Sequence, residues 1–88
     1  PRVLAKGADL IAKNIRRVAE EHRIPIIEAP PVARALYHST EIDQYIPSNL
    51  YLAVARILAY VFQLRTYRKA GGPKPEQPVD LEVPKDYG

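Results

Sequence analysis

The sequence predicts an α/β domain: a small, mostly parallel sheet wrapped by three to four helices, followed by a Pro/Gly-rich tail. Three observations carry that prediction. A strand, helix, strand succession fits within the first thirty residues. A later helix is apolar on nearly every side, which requires cover on more than one face. At Ala70 the composition changes abruptly, so residues 1–69 read as the domain and 70–88 as a flexible, disordered tail.

Arg2-Val3-Leu4-Ala5-Lys6 is a short apolar run between basic residues, of common strand length. Gly7 ends it, and Asp9 then supplies a negative charge to the first turn of a helix. From Ala8 to His22, Ala8, Ile11, Ala12, Ile15, Val18 and Ala19 share one face. Charged residues hold the other face, with Arg16/Glu20 and Arg17/Glu21 at i,i+4 spacing. Such a helix lies on something. Ile24 to Ala29 follows as the second strand, with Pro25 confined to its first position or to an edge. A βαβ unit has parallel strands and a right-handed crossover.

Pro30-Pro31 stops that strand, and Pro31 to His38 forms a short helix with Val32, Ala35 and Leu36 inward. Ile42 to Pro47 is either a short edge strand or an irregular connector. Ser48 is placed to cap the long helix that runs from Leu50 to Lys69. In its first fifteen residues only Arg56 and Gln63 are polar. Leu50, Val54, Ile57, Leu58, Val61 and Leu64 make one stripe; Leu52, Ala55, Ala59 and Phe62 make a second. A membrane span needs about 20 apolar residues, so this is a buried helix with a possible docking face. A pair of strands cannot cover three helices, and an upstream strand missing from this chain is expected to complete the sheet.

The chain of 88 residues has room for one domain and a small core. It contains no cysteine, which excludes disulfides and thiolate metal sites. His22 and His38, sixteen residues apart, assemble no metal-binding cluster. No signal peptide pattern is present. The first 69 residues hold 11 Lys/Arg against 6 Asp/Glu, and the remainder holds 2 against 4. A moderately basic body suits acidic partners or an anionic membrane surface, and ordinary solvated surfaces look the same.

His22 reads as a helix-end residue, and Ser39 and Thr40 as turn residues rather than as a nucleophile beside His38. Glu28 has Arg34 as its nearest candidate partner. Gly7 alone is no phosphate cradle. Lys13, Arg16, Arg17, Arg65, Arg68 and Lys69 could form a basic patch, diluted by Glu20 and Glu21. These residues carry no catalytic, metal or cofactor constellation, and no enzyme activity, cofactor or nucleic-acid partner is expected of the chain itself.

Three runs, Pro1 to Ala12, Ile24 to Tyr37 and Ile46 to Val61, resemble the C-terminal cytoplasmic domain of the FlhB/YscU/SpaS/EscU family of type III export switch proteins. Leu4-Ala5-Lys6-Gly7 and Pro-Pro-x-Ala-Arg-Ala-Leu-Tyr, Pro30 to Tyr37, are the specific matches. Glu28-Ala29-Pro30-Pro31 and the Ala-rich last helix favour the flagellar branch. The resemblance implies an α/β domain tethered to a membrane domain at the cytoplasmic face of the bacterial inner membrane. It implies self-cleavage at an upstream Asn-Pro-Thr-His loop, a motif absent from these residues. It further implies that Pro1, Ala55 and Leu58 form a shallow apolar patch that docks rod and hook export substrates; the alternative is that Ala55 and Leu58 pack on the upstream strand. The implied function is a switch from rod/hook-type to filament-type export, with the upstream fragment, the hook-length control protein and other export-gate components as partners. The reading from another class is a basic adaptor for nucleic acid or anionic lipid.

Overall fold

In the computed structural model, which describes residues 1–78 and 81–84, the regular elements are helical: α1 (Asp9–Glu21), α2 (Pro30–Ser39), a 3₁₀ turn (Ser48–Leu50) and α3 (Tyr51–Ala70). Each follows from local chemistry. Asp9 occupies the first turn of α1, two prolines open α2, and Arg68 and Lys69 sit in the last turn of α3. Ser48 does not cap α3; it begins the 3₁₀ turn, with Leu50 N–H donating to the Pro47 carbonyl at 3.0 Å.

The expected parallel sheet is not there. Among the described residues no strand forms, and the sole pairing is one antiparallel bridge between Arg2 and Tyr45. Val3 N–H donates to Gln44 O at 3.1 Å, Asp43 N–H to Val3 O at 2.6 Å and Ile46 N–H to Pro1 O at 3.2 Å. The first segment thus spends its backbone groups on the connector, which is irregular with a single bridge and forms no edge strand. Ile24 to Ala29 cannot answer, because its early donors are lacking or used. Pro25 has no N–H, and Ile24 N–H donates to Ala19 O at 2.8 Å. Exposure still alternates along this stretch, with Pro25, Ile27 and Ala29 half-buried. The strand-like side-chain pattern is present without the ladder.

The Ile24 bond belongs to the end of α1. Arg23 N–H donates to Glu20 O at 3.2 Å, and Arg23 has φ 56. The two bonds and the left-handed residue make a Schellman motif, whose left-handed position is normally glycine. Arg23→Gly is therefore expected to raise stability by about 1 kcal/mol, read as a higher midpoint in urea with an unchanged slope.

The core is small. It comprises Val32 and Ala35 from α2, Ile46 from the connector, and Leu50, Ala53 and Leu64 from the 3₁₀ turn and α3. Thr40 is the one buried polar residue among those described, and its hydroxyl lies 3.0 Å from that of Ser39. Helix α1 contributes no buried residue.

Helix α3 takes in Ala70, the first residue assigned to the tail; from Gly71 on there is neither helix nor strand among the described residues, yet the tail touches the domain. Gly71 and Gly72 turn the chain with φ of 75 and 95, and Gln77 Nε2 donates to the Glu28 carbonyl at 3.2 Å. Residues 79, 80 and 85–88, which the expectation of a flexible tail also covered, lie outside the described residues.

Candidate docking groove

A groove of about 880 Å³ runs between the N-terminal segment, α1, α2 and α3. Its α1 wall is the apolar face of that helix, with Ile15, Val18 and Ala19 turned into it. This explains how an amphipathic helix can have no buried residue: its apolar face borders the groove, and Val18 stays 40% exposed. Leu36 and Tyr37 line the groove from α2, and Val54 and Leu58 from α3.

Of the three residues singled out for docking, Pro1 and Leu58 both line this groove. Ala55 does not; it is exposed on the outer side of α3, beside the groove rather than in it. Helix α3 divides its surface sharply. Ala53 and Leu64 enter the core, while Tyr51, Leu52, Ala55, Leu58, Ala59 and Phe62 are exposed on the opposite side. Leu52 and Phe62 are 70% and 72% exposed. Large apolar side chains gathered on one face mark an interaction surface far better than single ones do.

Polar contacts hold the groove's rim. Lys6 Nζ donates to the Tyr37 carbonyl at 2.9 Å and lies 5.2 Å from the Tyr37 ring centre. The same ammonium is 3.7 Å from Glu41. One cation thereby ties the N-terminal segment to the last turn of α2, where carbonyls lack helical partners. Arg16 pairs with Glu28 at 2.9 Å, not with Glu20, and Arg17 pairs with Glu21 at 2.6 Å. Glu28 therefore finds Arg16 rather than Arg34. The reversal at Arg23 brings residue 28 back alongside α1, a tertiary effect that helical spacing cannot reveal.

The basic patch considered from sequence is correspondingly depleted, since Arg16 and Arg17 are in ion pairs. Ser39 shares its hydroxyl contact with Thr40, and His38 stacks edge-on against Tyr37 at 5.1 Å. No group of three His, Cys, Asp or Glu side chains comes together among the described residues. No described helix is long and apolar enough to cross a membrane. What the geometry offers is an apolar groove continuous with an apolar helix face.

A family model described as the FlhB HrpN YscU SpaS Family matches residues 1–61. The chain belongs to this family. It is 58% identical over 85 residues to the flagellar biosynthetic protein FlhB of Salmonella typhimurium, covering 97% of this chain and 22% of that protein. The FlhB of Bacillus subtilis is 45% identical over 65 residues, 74% of this chain and 18% of its own length. The chain thus spans about a fifth of these FlhB relatives. The crystal structure of the cytoplasmic domain of FlhB from Shewanella putrefaciens superposes with a TM-score of 0.87 at 54% identity, covering 93% of this chain and 69% of that one. These sequence and structure matches are both to FlhB proteins, and the matched structure is that of a cytoplasmic domain.

Proposed function

We propose that this chain is the cytoplasmic substrate-docking and specificity-switch domain of a flagellar type III export apparatus, held at the inner face of the bacterial inner membrane by the rest of its protein. The observation that carries this reading is the continuity of the groove at Pro1 and Leu58 with the exposed apolar face of α3, in a chain of the FlhB family. Rod and hook subunits dock first. After upstream cleavage and a signal from the hook-length control protein, the domain turns to filament-type subunits. An upstream segment of the same protein and other export-gate components meet the remaining surface.

The test is Leu58→Asp. Leu58 is half exposed, so a carboxylate there leaves the fold intact and stays solvated until a ligand covers it. Titration calorimetry with a purified hook-type subunit should then show affinity weakened tenfold or more, since burying an unpaired charge at an interface costs upwards of about 1.4 kcal/mol. Wild-type affinity in a variant with unaltered circular dichroism would overturn the docking assignment.

A further inference from the structure

Past α3 the chain doubles back. Gly71 N–H donates to Tyr67 O at 2.8 Å and closes the helix, and the left-handed pair Gly71 and Gly72 makes the reversal. Pro73, Lys74 and Pro75 then border a cavity of about 410 Å³ with Phe62, Thr66 and Tyr67. Phe62 lies about two turns before the helix end, so the tail returns along α3. Gln77 Nε2 next donates to the Glu28 carbonyl at 3.2 Å, and the Glu28 carboxylate holds Arg16 of α1 at 2.9 Å. The tail thus joins the end of α3 to residue 28 and, through that residue, to α1. The run Pro73-Lys74-Pro75-Glu76-Gln77-Pro78 has little choice of conformation. Each proline fixes its own φ at about −65°, and Lys74 and Gln77, which precede prolines, are kept out of the helical region. Such a run is polyproline II, with three residues per turn. Burial follows that period. Pro75 and Pro78 are half-buried, while Pro73, Lys74, Glu76 and Gln77 are exposed. Leu81 and Pro84 continue the half-buried spacing, with Val83 half-buried beside them.

We propose that residues 71–78 are a polyproline II strap, and that the end of α3 with the Glu28 backbone is a binding site for a Pro-rich segment, filled by this chain's own tail. The strap holds α1. That helix contributes no buried residue, and Arg16 with Glu28 is its described ion pair to a residue outside the helix. Both side chains of the pair are exposed, at 48% and 72%, and such a contact is worth little alone. The strap fixes Glu28 from the backbone side, so the partner of Arg16 stays in place. Docking costs little entropy, because the prolines have already removed most of the freedom of the run. Covalent attachment also keeps the local concentration of the strap at its site near about the millimolar range. A neutral hydrogen bond and two half-buried prolines are then enough. Release of the strap loosens the α1 wall of the groove, whatever the groove receives.

The test is NMR relaxation and amide exchange on the full chain. Backbone order parameters of Lys74, Glu76 and Gln77 should exceed about 0.6, below which a chain is flexible. Pro75→Ser with Pro78→Ser, on the docked face, should bring Glu76 and Gln77 below that level. The same variant should speed exchange of the α1 amides of Val18 and Ala19 about twofold or more, with the α3 amides of Val54 and Leu58 unchanged. Pro73→Ser with Glu76→Ser, three residues apart on the exposed face, should change neither quantity. Flexible order parameters in the wild-type tail overturn the proposal, and so does an equal response to the two double variants. Unaltered α1 exchange after the docked face is lost overturns it as well. An equal acceleration in α1 and α3 does the same, because the tail would then support the whole fold in place of α1.

Discussion

Leu50→Ala should cost about 3 kcal/mol of stability and lower the unfolding midpoint by roughly 15 °C. Leu50 is completely buried, at the junction of the 3₁₀ turn and α3. The change removes three buried carbons and leaves a cavity that the surroundings can only partly close. Neighbouring core positions are small or few: Ala35 and Ala53 cannot swing in to fill the space, and among the described residues only six hydrophobic residues are buried. A domain of ordinary stability has about 5–15 kcal/mol in total, so the variant loses a large share of it. Thermal unfolding followed at 222 nm checks this. A fall of less than a few degrees would mean that Leu50 is not the centre of the core.

Gly7→Ala is the second change with a large expected effect, about 1–3 kcal/mol of destabilisation. The cause is space, not backbone conformation. A β-carbon at residue 7 would overlap the Ile11 side chain, with 2.6 Å to the Ile11 Cβ. Because Ile11 is itself 62% exposed, Ile11→Ala alone should be nearly silent. In the double variant Ile11→Ala recovers only part of the loss, since its Cβ stays where the new methyl must go. Chemical denaturation of the four proteins of this cycle should give a coupling of about 1 kcal/mol. Full additivity would show that the first turn of α1 moves aside without cost.

The helices were legible because their signals are local. Two prolines, the apolar periods of α1 and α2, and the basic end of α3 are read directly along the chain. Val32 and Ala35 were expected to face inward, and they do. The βαβ reading failed for a different reason. Pairing is decided by where backbone donors go, and nothing in the string Ile24-Pro25-Ile26-Ile27 reveals that Ile24 closes the preceding helix. The partner of Glu28 was missed likewise, because Arg23 takes a left-handed conformation that its residue type does not advertise. For the candidate site, the excess of apolar residues on α3 was visible from composition, and so was the row Leu52, Ala55, Ala59 and Phe62. That Leu58 stands at the groove's edge while Ala55 stays outside it depends on the tilt of α3 against its neighbours, which no periodicity specifies.

Helix α3 is at once a wall of the core, through Ala53 and Leu64, and the bearer of every outward residue discussed above. The two faces share one rigid backbone, so the binding surface exists only in molecules whose core is formed. Apparent affinity is then the intrinsic affinity scaled by the folded fraction. A partner that grips the outer row must in turn raise the melting temperature. Core variants that leave every surface atom in place should therefore register as binding defects at high temperature and vanish as defects at low temperature.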